Sequence, residues 1–457
     1  MNSDGVTTCV GRSDLAARTD IEAGSPTASP LRMAITARSI YPLHGVGGLE
    51  RHLYDLVRHL VAIGVRVHII TRPPVHMAPR DVPMLASERI DWSFVPYRSF
   101  PFAGRRGTTV IDRSTAYLLF GLRAGARAAE LAAAGEIDIV YGHGASVLGY
   151  ARARKRGAAP CPMIFNPHGL EEFGGPGQSA VKHIGYAPLR AAARYCARVA
   201  DRVISTDHCL VPVIGRHLRV SEDRICVVPN SVDLLACDSS AEEVAARALR
   251  ARLSLPPGAR VLLSAGRLED NKGFHVLARA LSDLLPRNGS APAAGRSEWR
   301  WVLVGDGPAR PRLERAVREH GIASRTLLAG HVTTPELHGW YRAADVFVHP
   351  TLYEGSSIVT LEAMAHGLPV VATMAGGLPD KVVPALTGWL VKPGDSIALA
   401  QAVSEALQDP SRLPGLGRAG RALVEERFSW PAAVHVLMAV VRELVVARQG
   451  PSPGRAI

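Results

Sequence analysis

The sequence lacks the patterns that mark several classes of protein. Its 457 residues include only six cysteines, which lie far apart without a CxxC pair. This spacing argues against a disulfide-stapled fold, a redox motif and a zinc knuckle. No uncharged apolar run reaches the roughly 18 residues that a membrane-spanning helix needs, and the first twenty residues lack the apolar core of a signal peptide. We therefore expect a cytoplasmic protein.

Aromatic residues and metal-binding motifs are also scarce. Phe, Trp and Tyr make up 5% of the chain, and basic clusters such as residues 152–156 contain no interleaved aromatics. Nucleic acid is therefore not expected as a partner. The chain contains no DxD motif and no two histidines spaced four residues apart. Because such motifs supply the ligands of many divalent cations, we expect no metal site and no cofactor.

Charge is unevenly distributed along the chain. The formal net charge is +12, and residues 31–230 contain 26 Lys and Arg against 15 Asp and Glu. One interpretation is an ordinary solvated surface that is rich in arginine. The other is attraction to an anionic partner, either a phosphorylated acceptor or a membrane. The second interpretation predicts peripheral contact with the inner face of the membrane.

Apolar runs and helical patterns alternate twice along the chain. Residues 1–30 are polar and without periodicity, which predicts a disordered leader. Strand-like runs separated by helices follow in 31–233 and again in 259–429, with a loosely patterned linker at 234–258 and a terminal helix and frayed tail in 430–457. This alternation predicts two doubly wound α/β domains with parallel sheets. Ligands bind such sheets at the carboxyl ends of the strands, so we expect a site in a cleft between the domains.

The most informative segment is residues 349–380. Glu354 follows a predicted strand, Ser356 is a plausible helix N-cap, and Glu362 lies on a short helix over 358–366 that Gly367 ends. N–H groups at the start of such a helix attract phosphate. Either glutamate alone would be an ordinary surface carboxylate. Together with the Gly-Gly pair at 376–377 they favour a site for a ligand with two polyol ends joined by a diphosphate.

Three further groups of residues lie at predicted strand ends. Arg267 and Lys272 could stabilise a departing diphosphate without metal, although loop cations are usually only solvated. A glycine-rich turn around Gly47 and Gly48 would allow a phosphate to approach the backbone closely. His143 and His168 are candidates for the cleft, and a hydrogen-bonded structural role is equally compatible with their positions.

Together these segments resemble the retaining glycosyltransferases of family 4, which have the two-domain GT-B fold. The resemblance covers residues 31–450, and its most specific part is the E-x7-E signature from Glu354 to Glu362. Supporting motifs occur in the family's order: GVGGLERH (45–52), YGHG (141–144), PHG (167–169), VPNSVD (228–233), AGRLEDNKG (265–273), VGDGP (304–308), TGWLVKPGD (387–395) and FSW (428–430).

The resemblance implies a role for each domain and for individual residues. The first domain would bind the acceptor and the second the nucleotide sugar, with the terminal helix crossing back to the first. Glu362 would hold the ribose and Glu354 the transferred sugar, whereas Arg267 and Lys272 would grip the diphosphate. His143 would lie beside the donor sugar. The remaining implied contacts come from the backbone at Gly47, Gly48, Gly266, Gly307, Ile358 and Val359.

Two positions depart from the family pattern. Tyr141 replaces the first histidine of the HxH motif, and Ser356-Ser357 replaces the usual Phe-Gly after the Glu-Gly pair. The second change alters the wall around the sugar and leaves the identity of the donor open.

The resulting hypothesis is metal-independent, retaining transfer from a UDP- or GDP-sugar to an acceptor hydroxyl, with a lipid-linked or polysaccharide glycan favoured. The alternatives are a small-molecule acceptor, a sugar-nucleotide epimerase or hydrolase with the same fold, and a non-catalytic sugar-nucleotide binding protein.

Overall fold

The computed structural model describes residues 30–45, 47–99, 108–174, 180–238, 240–256, 258–285 and 298–449. These residues form two compact units. Unit 1 contains the described residues up to Pro229 and those from Ala433 onward, and unit 2 runs from Asn230 to Ala432. The predicted leader, except Pro30, and the predicted frayed tail lie outside the described residues.

Unit 1 is built on a seven-stranded parallel sheet. The strand order is β3-β2-β1-β4-β5-β6-β7. Its strands are β1 (Arg32–Thr36), β2 (Arg66–Thr71), β3 (Ile90–Phe94), β4 (Ile139–His143), β5 (Met163–Asn166), β6 (Arg202–Ser205) and β7 (Ile225–Val227). Its helices are α1 (Gly48–Ala62), α2 (Thr108–Ser114), α3 (Ala116–Ala133), α4 (Leu148–Lys155), α5 (Ala180–Gly185), α6 (Ala187–Val199) and α7 (Val211–Leu218).

Unit 2 is built on a six-stranded parallel sheet in the order β10-β9-β8-β11-β12-β13. Its strands are β8 (Arg260–Ala265), β9 (Trp299–Val304), β10 (Thr326–Gly330), β11 (Val346–His349), β12 (Val370–Thr373) and β13 (Gly388–Val391). Its helices are α8 (Ser240–Arg252), α9 (Phe274–Ser282), α10 (Arg310–Glu319), α11 (Thr334–Ala343), α12 (Ile358–Ala365), α13 (Ser396–Gln408) and α14 (Leu413–Arg427). The last helix of the chain, α15 (Trp430–Gln449), starts in unit 2 and continues in unit 1.

The central strands of both sheets are mostly apolar and buried. Strands β4, β11 and β12 are buried at every position, as expected when helices cover both faces of a parallel sheet. Two such sheets confirm the predicted fold class. In each sheet the strand order reverses once, between β1 and β4 in unit 1 and between β8 and β11 in unit 2. Loops that follow these neighbouring strands diverge and leave a crevice for a ligand.

The segment that the sequence predicts as a linker contains regular structure. Helix α8 lies within it and packs against α11 in unit 2. Ala246 and Leu249, three residues apart on one face of α8, are buried. A short apolar stripe of this kind in a charged helix is too weak to stand out in the sequence.

Helix α15 is apolar and long. Among the described residues it is the one helix whose length and composition would allow it to cross a membrane, with a mean hydropathy of 1.6 over its most apolar part. Leu437 and Val441 on this helix are fully buried inside the protein. Core helices of soluble proteins meet the same criteria of length and composition, so these criteria alone do not assign α15 to a bilayer.

Candidate active site

Lys272 and Glu354 meet at the switch point of the unit 2 sheet. Lys272 lies in the loop after β8, and Glu354 lies in the loop after the neighbouring strand β11. The Nζ atom of Lys272 donates a hydrogen bond of 2.7 Å to Oε2 of Glu354. Both side chains are largely buried, with 19% and 13% of their surfaces exposed. The two residues form a shielded ion pair, which interacts more strongly than an exposed pair would.

Backbone contacts hold these two loops together. The amide of Leu352 donates to the carbonyl oxygen of Asn271 at 2.7 Å. Gly273 has φ +68°, and a Cβ atom there would overlap the carbonyl oxygen of Pro350. Gly376 has φ +53°, and a Cβ atom there would overlap the carbonyl oxygen of Glu354. Only glycine fits at both positions, since each combines a left-handed backbone with a close approach.

His349 completes the cluster around Glu354. Its side chain is fully buried, and Nε2 donates to the same Oε2 atom of Glu354 at 2.9 Å. Burial raises the pKa of Glu354, but the hydrogen bonds and charges of His349 and Lys272 outweigh it and lower that pKa to about 2. Glu354 is therefore ionised at neutral pH. His349 lies at the end of a strand, the same signal that pointed to His143, but we predicted no role for it from the sequence.

Glu362 lies on α12 beside a buried tyrosine. Tyr341, on α11, donates from Oη to Oε2 of Glu362 at 2.9 Å. Burial, followed by the negative charge of Glu362, raises the pKa of Tyr341 well above 10. Glu362 itself is half-buried, so its carboxylate is both oriented and accessible to a ligand. Tyr341 is a second residue that sequence reasoning missed, since it lies 21 positions from Glu362.

The predicted N-cap of this helix is wrong by one residue. Ser357, not Ser356, caps α12, because its Oγ atom accepts the N–H of Thr360 at 3.4 Å. Ser356 instead accepts a hydrogen bond of 3.0 Å from the buried ammonium of Lys381. A capping side chain must reach the amide three residues ahead, and the helix begins only at Ile358.

The other predicted donor-site residues lie around the start of the same loop. Arg267 is 72% exposed, and its Nε atom lies 3.1 Å from Oε1 of Glu269. Gly266 has φ +147°, and a Cβ atom at Gly307 would overlap the carbonyl oxygen of Leu268. These glycines let the loops after β8 and β9 pack against each other. The backbone at Ile358 and Val359 forms the first turn of α12.

In unit 1 the two glycines that we predicted to contact phosphate lie at the start of α1. Gly47 is its N-cap and Gly48 its first residue. A Cβ atom on Gly47 would overlap the carboxylate of Glu50, which also accepts a hydrogen bond of 2.7 Å from Ser39. The start of this helix is thus adjacent to one of its own carboxylates.

His143 and His168 form a pair at the ends of β4 and β5. Nδ1 of His143 lies 2.6 Å from Nε2 of His168, and the ring of His52 lies edge-on to His168 at 5.5 Å. Burial lowers the pKa of all three rings, that of His143 well below 6.5, that of His52 to about 4 and that of His168 to about 3. Nε2 of His143 is buried and has no hydrogen-bond partner among the described residues. The cluster is therefore neutral at neutral pH.

Comparisons with known proteins agree with this architecture. The family model described as Glycosyltransferase Family 4 matches residues 46–234, and the one described as Glycosyl transferases group 1 matches 259–409. D-inositol 3-phosphate glycosyltransferase 1 of Catenulispora acidiphila is 31% identical over 414 residues, covering 88% of this chain and 92% of the relative. The chain belongs to glycosyltransferase family 4. D-inositol 3-phosphate glycosyltransferase of Xylanimonas cellulosilytica is 30% identical, covering 88% of this family 4 enzyme and 93% of the relative.

Solved structures share the fold. Sucrose-phosphate synthase from Thermosynechococcus elongatus has a TM-score of 0.66 at 22% sequence identity. The alignment covers 91% of this family 4 glycosyltransferase and 100% of the synthase chain. HepE of Anabaena, solved in complex with UDP, has a TM-score of 0.67 at 18% identity. Its alignment covers 91% of this chain and 100% of the HepE chain. The predicted GT-B fold and the predicted glycosyltransferase class are confirmed. The individual roles of Arg267, Lys272, Glu354, Glu362 and His143 stay predictions.

Proposed function

We propose that this family 4 enzyme transfers a sugar, with retention of anomeric configuration, from a nucleotide diphosphate sugar bound by unit 2. The observation that carries this proposal is the buried cluster of Lys272, Glu354 and His349 at the unit 2 switch point. It combines a cation for a diphosphate with an ionised carboxylate for sugar hydroxyls. Glu362, held by Tyr341, supplies the carboxylate for a ribose.

Two further observations support the donor. The first N–H groups of α12, near Ile358 and Val359, have no partners within the helix and suit a phosphate. HepE, which shares the fold, was solved with UDP and also with UDP-glucose. We therefore favour a UDP-sugar, with a GDP-sugar as the alternative. In this proposal the exposed guanidinium of Arg267 leaves its ion pair with Glu269 and reaches the same diphosphate from the loop surface.

The reaction needs no metal in this proposal. The bond between the anomeric carbon and the diphosphate oxygen breaks, and the acceptor hydroxyl attacks from the same face. Its proton passes to an oxygen of the leaving phosphate, whose charge Lys272 and Arg267 stabilise. A double displacement would require a carboxylate nucleophile. Glu354 is poorly suited to that role, because Lys272 and His349 already engage its oxygen and stabilise its charge.

For the acceptor, we favour a small phosphorylated polyol. The relatives are named D-inositol 3-phosphate glycosyltransferases. In unit 1, Arg38 and Arg72 follow the neighbouring strands β1 and β2, close enough for their charges to interact. Nε of Arg72 is buried and has no hydrogen-bond partner among the described residues. Two such cations at the carboxyl ends of adjacent strands favour a phosphate group.

The lipid-linked or polysaccharide acceptor that we favoured from charge remains the alternative, and it predicts membrane binding. The purified protein would then sediment with anionic vesicles at low salt and remain free with neutral ones. A small acceptor predicts no difference between the two vesicle types.

The testing experiment is a donor and acceptor screen. UDP-, GDP- and ADP-sugars are compared by thermal shift, since a ligand at 100 times its dissociation constant adds about 2.7 kcal/mol to stability. The stabilising donor is then incubated with D-inositol 3-phosphate, with a lipid-linked glycan or alone. We expect an acceptor-dependent product whose anomeric configuration matches the donor. Release or isomerisation of the sugar without acceptor would instead favour a hydrolase or an epimerase.

A further inference from the structure

A cluster of metal-ligating side chains lies in unit 2 outside the residues assigned to the donor. Cys237 ends the 3-10 turn Leu234–Cys237, His338 lies on α11, and His366 caps the carboxyl end of α12. Their potential ligand atoms all lie within 4.8 Å of one another. We propose that Cys237, His338 and His366 form a zinc site, with water in the fourth position. This inference does not depend on the proposed reaction.

The distances suit tetrahedral zinc. Nδ1 of His338 and Nε2 of His366 lie 3.1 Å apart. Two imidazole nitrogens bound to one tetrahedral zinc at 2.0–2.1 Å would lie about 3.3 Å apart, and a thiolate sulfur would lie about 3.6 Å from each. Sγ of Cys237 donates a hydrogen bond of 3.4 Å to the carbonyl oxygen of Asp233. Loss of that proton and a shift of the sulfur by about 1 Å would bring it to zinc-binding distance. One thiolate and two imidazoles are a ligand set that zinc prefers over magnesium or calcium.

Neighbouring groups fix the orientation of the ligands. Nδ1 of His366 lies 2.8 Å from the carbonyl oxygen of Glu362. A carbonyl oxygen only accepts, so Nδ1 carries the proton and Nε2 presents its lone pair to the cluster. The ring of Tyr341 stacks on the ring of His366 with centroids 5.1 Å apart and an interplanar angle of 27°. Such support from a carbonyl group is typical of metal-binding histidines.

The cluster is shielded but reachable. Cys237 is 1% exposed and His338 is 7% exposed. His366, in contrast, also lines a cavity of about 540 Å³ together with Tyr341 and Arg342. An ion can therefore enter past His366, while the thiolate is protected from bulk solvent.

A bound ion would connect three elements of unit 2. It would tie the 3-10 turn before α8 to α11 and to the end of α12, four residues beyond Glu362. The ion would not touch the reacting atoms, so its effect would be on stability rather than on the chemical step. A hydrogen-bonded histidine pair without metal would give the same nitrogen distance, and the nearby thiol is the feature that distinguishes zinc binding.

Cobalt spectroscopy tests the site directly. Tag-free, full-length protein is stripped with chelator and titrated anaerobically with Co²⁺, which replaces zinc and reports a thiolate ligand by charge-transfer absorption. We expect one equivalent to produce that absorption and one equivalent of Zn²⁺ to abolish it. Cys237→Ser should lose the band, and His338→Gln should bind cobalt at least about tenfold more weakly. The matched control Cys209→Ser removes an exposed thiol and should keep the charge-transfer band.

Thermal unfolding gives a second measurement that does not depend on the absorption of cobalt. Zinc should raise the thermal transition of the wild type and of Cys209→Ser by several degrees. It should not raise that of a folded Cys237→Ser or His338→Gln variant. Two results would overturn the proposal: no thiolate absorption with cobalt in the wild type, or an absorption that persists in Cys237→Ser. The first needs no variant and so does not depend on how the variants fold.

Discussion

The Nζ atom of Lys272 lies 2.7 Å from Oε2 of Glu354, although 82 positions separate them in the chain. The same oxygen atom accepts a hydrogen bond from His349. The cation assigned to the diphosphate and the carboxylate assigned to the sugar are thus held by one another. A change in either residue should disturb the binding of both the diphosphate and the sugar of the donor.

Substitution of Lys272 tests the proposed stabilisation of the leaving group. Lys272→Ala should lower kcat by roughly 100-fold, because a preorganised positive charge near the departing diphosphate is lost. Arg267→Ala should lower kcat with less effect on stability, since its side chain is exposed. Arg279→Ala, which removes an exposed cation from α9, is the control and should retain full activity. Near-normal turnover in a folded Lys272→Ala variant would remove that residue from the mechanism.

Glu362 should govern donor affinity rather than turnover. Glu362→Gln weakens hydrogen bonds to a ribose and should raise the donor KM about tenfold, which corresponds to about 1.4 kcal/mol. Tyr341→Phe removes the hydroxyl that orients Glu362 and should raise the same KM less strongly. Initial rates over a range of donor concentrations separate KM from kcat. Loss of kcat at unchanged donor KM would contradict the assignment.

Arg72 should contribute to acceptor binding if the acceptor carries a phosphate. Arg72→Met should raise KM for a phosphorylated polyol by at least about tenfold and leave KM for its unphosphorylated analogue unchanged, since a charge-assisted contact is lost. Arg80→Met is the matched control, because Arg80 belongs to the same unit and its side chain is 89% exposed. Equal effects of Arg72→Met on both acceptors would argue against a phosphate at this position.

Stability should fall on mild acidification because of the histidine cluster. The pKa of His52 and that of His168 are lowered to about 4 and about 3 in the folded state, so the unfolded chain binds more protons below its ordinary histidine pKa of 6.5. Their contribution to the free energy of unfolding is complete above pH 6.5 and declines as the pH falls toward 4. At pH 5 the loss is at most roughly 2 kcal/mol per histidine. The lowered pKa of Glu354 also makes stability fall on acidification, but over a lower pH range, between about 4.5 and 2.

Urea unfolding measured from pH 7 to pH 5 checks this account. The free energy of unfolding should decrease over that interval, and His168→Gln should make the decrease shallower. An unchanged slope in His168→Gln would show that this ring does not titrate as the structure implies.

Much of the alternation of strands and helices follows from the sequence, whereas two edge strands do not. The runs that form β1, β2, β8 and β9 are mainly apolar and belong to the strand-like runs predicted in 31–233 and 259–429. The edge strands β3 and β13 were missed, because IDWSF is interrupted by polar residues and GWLV begins with glycine, which is uncommon in strands. Strands of this kind are defined by pairing with a neighbour rather than by their own composition.

The site was predicted in part for a similar reason. Residues that follow strands, such as Lys272 and Glu354, can be recognised because parallel strands end at one edge of a sheet. The contact of Tyr341 with Glu362 depends on how α11 packs against α12, which no spacing reveals. The same holds for Cys237, which lies 101 positions before His338 and therefore belongs to no recognisable metal motif.

In the proposed reaction, side-chain cations and not a divalent metal stabilise the leaving diphosphate. The most direct test is kcat at saturating donor and acceptor, measured at a temperature well below the thermal transition after exhaustive treatment with EDTA. This role of the cations predicts that kcat is retained, that added Mg²⁺ or Mn²⁺ does not raise it, and that removal of zinc lowers only the thermal transition. Loss of kcat that Mg²⁺ or Mn²⁺ restores would contradict it.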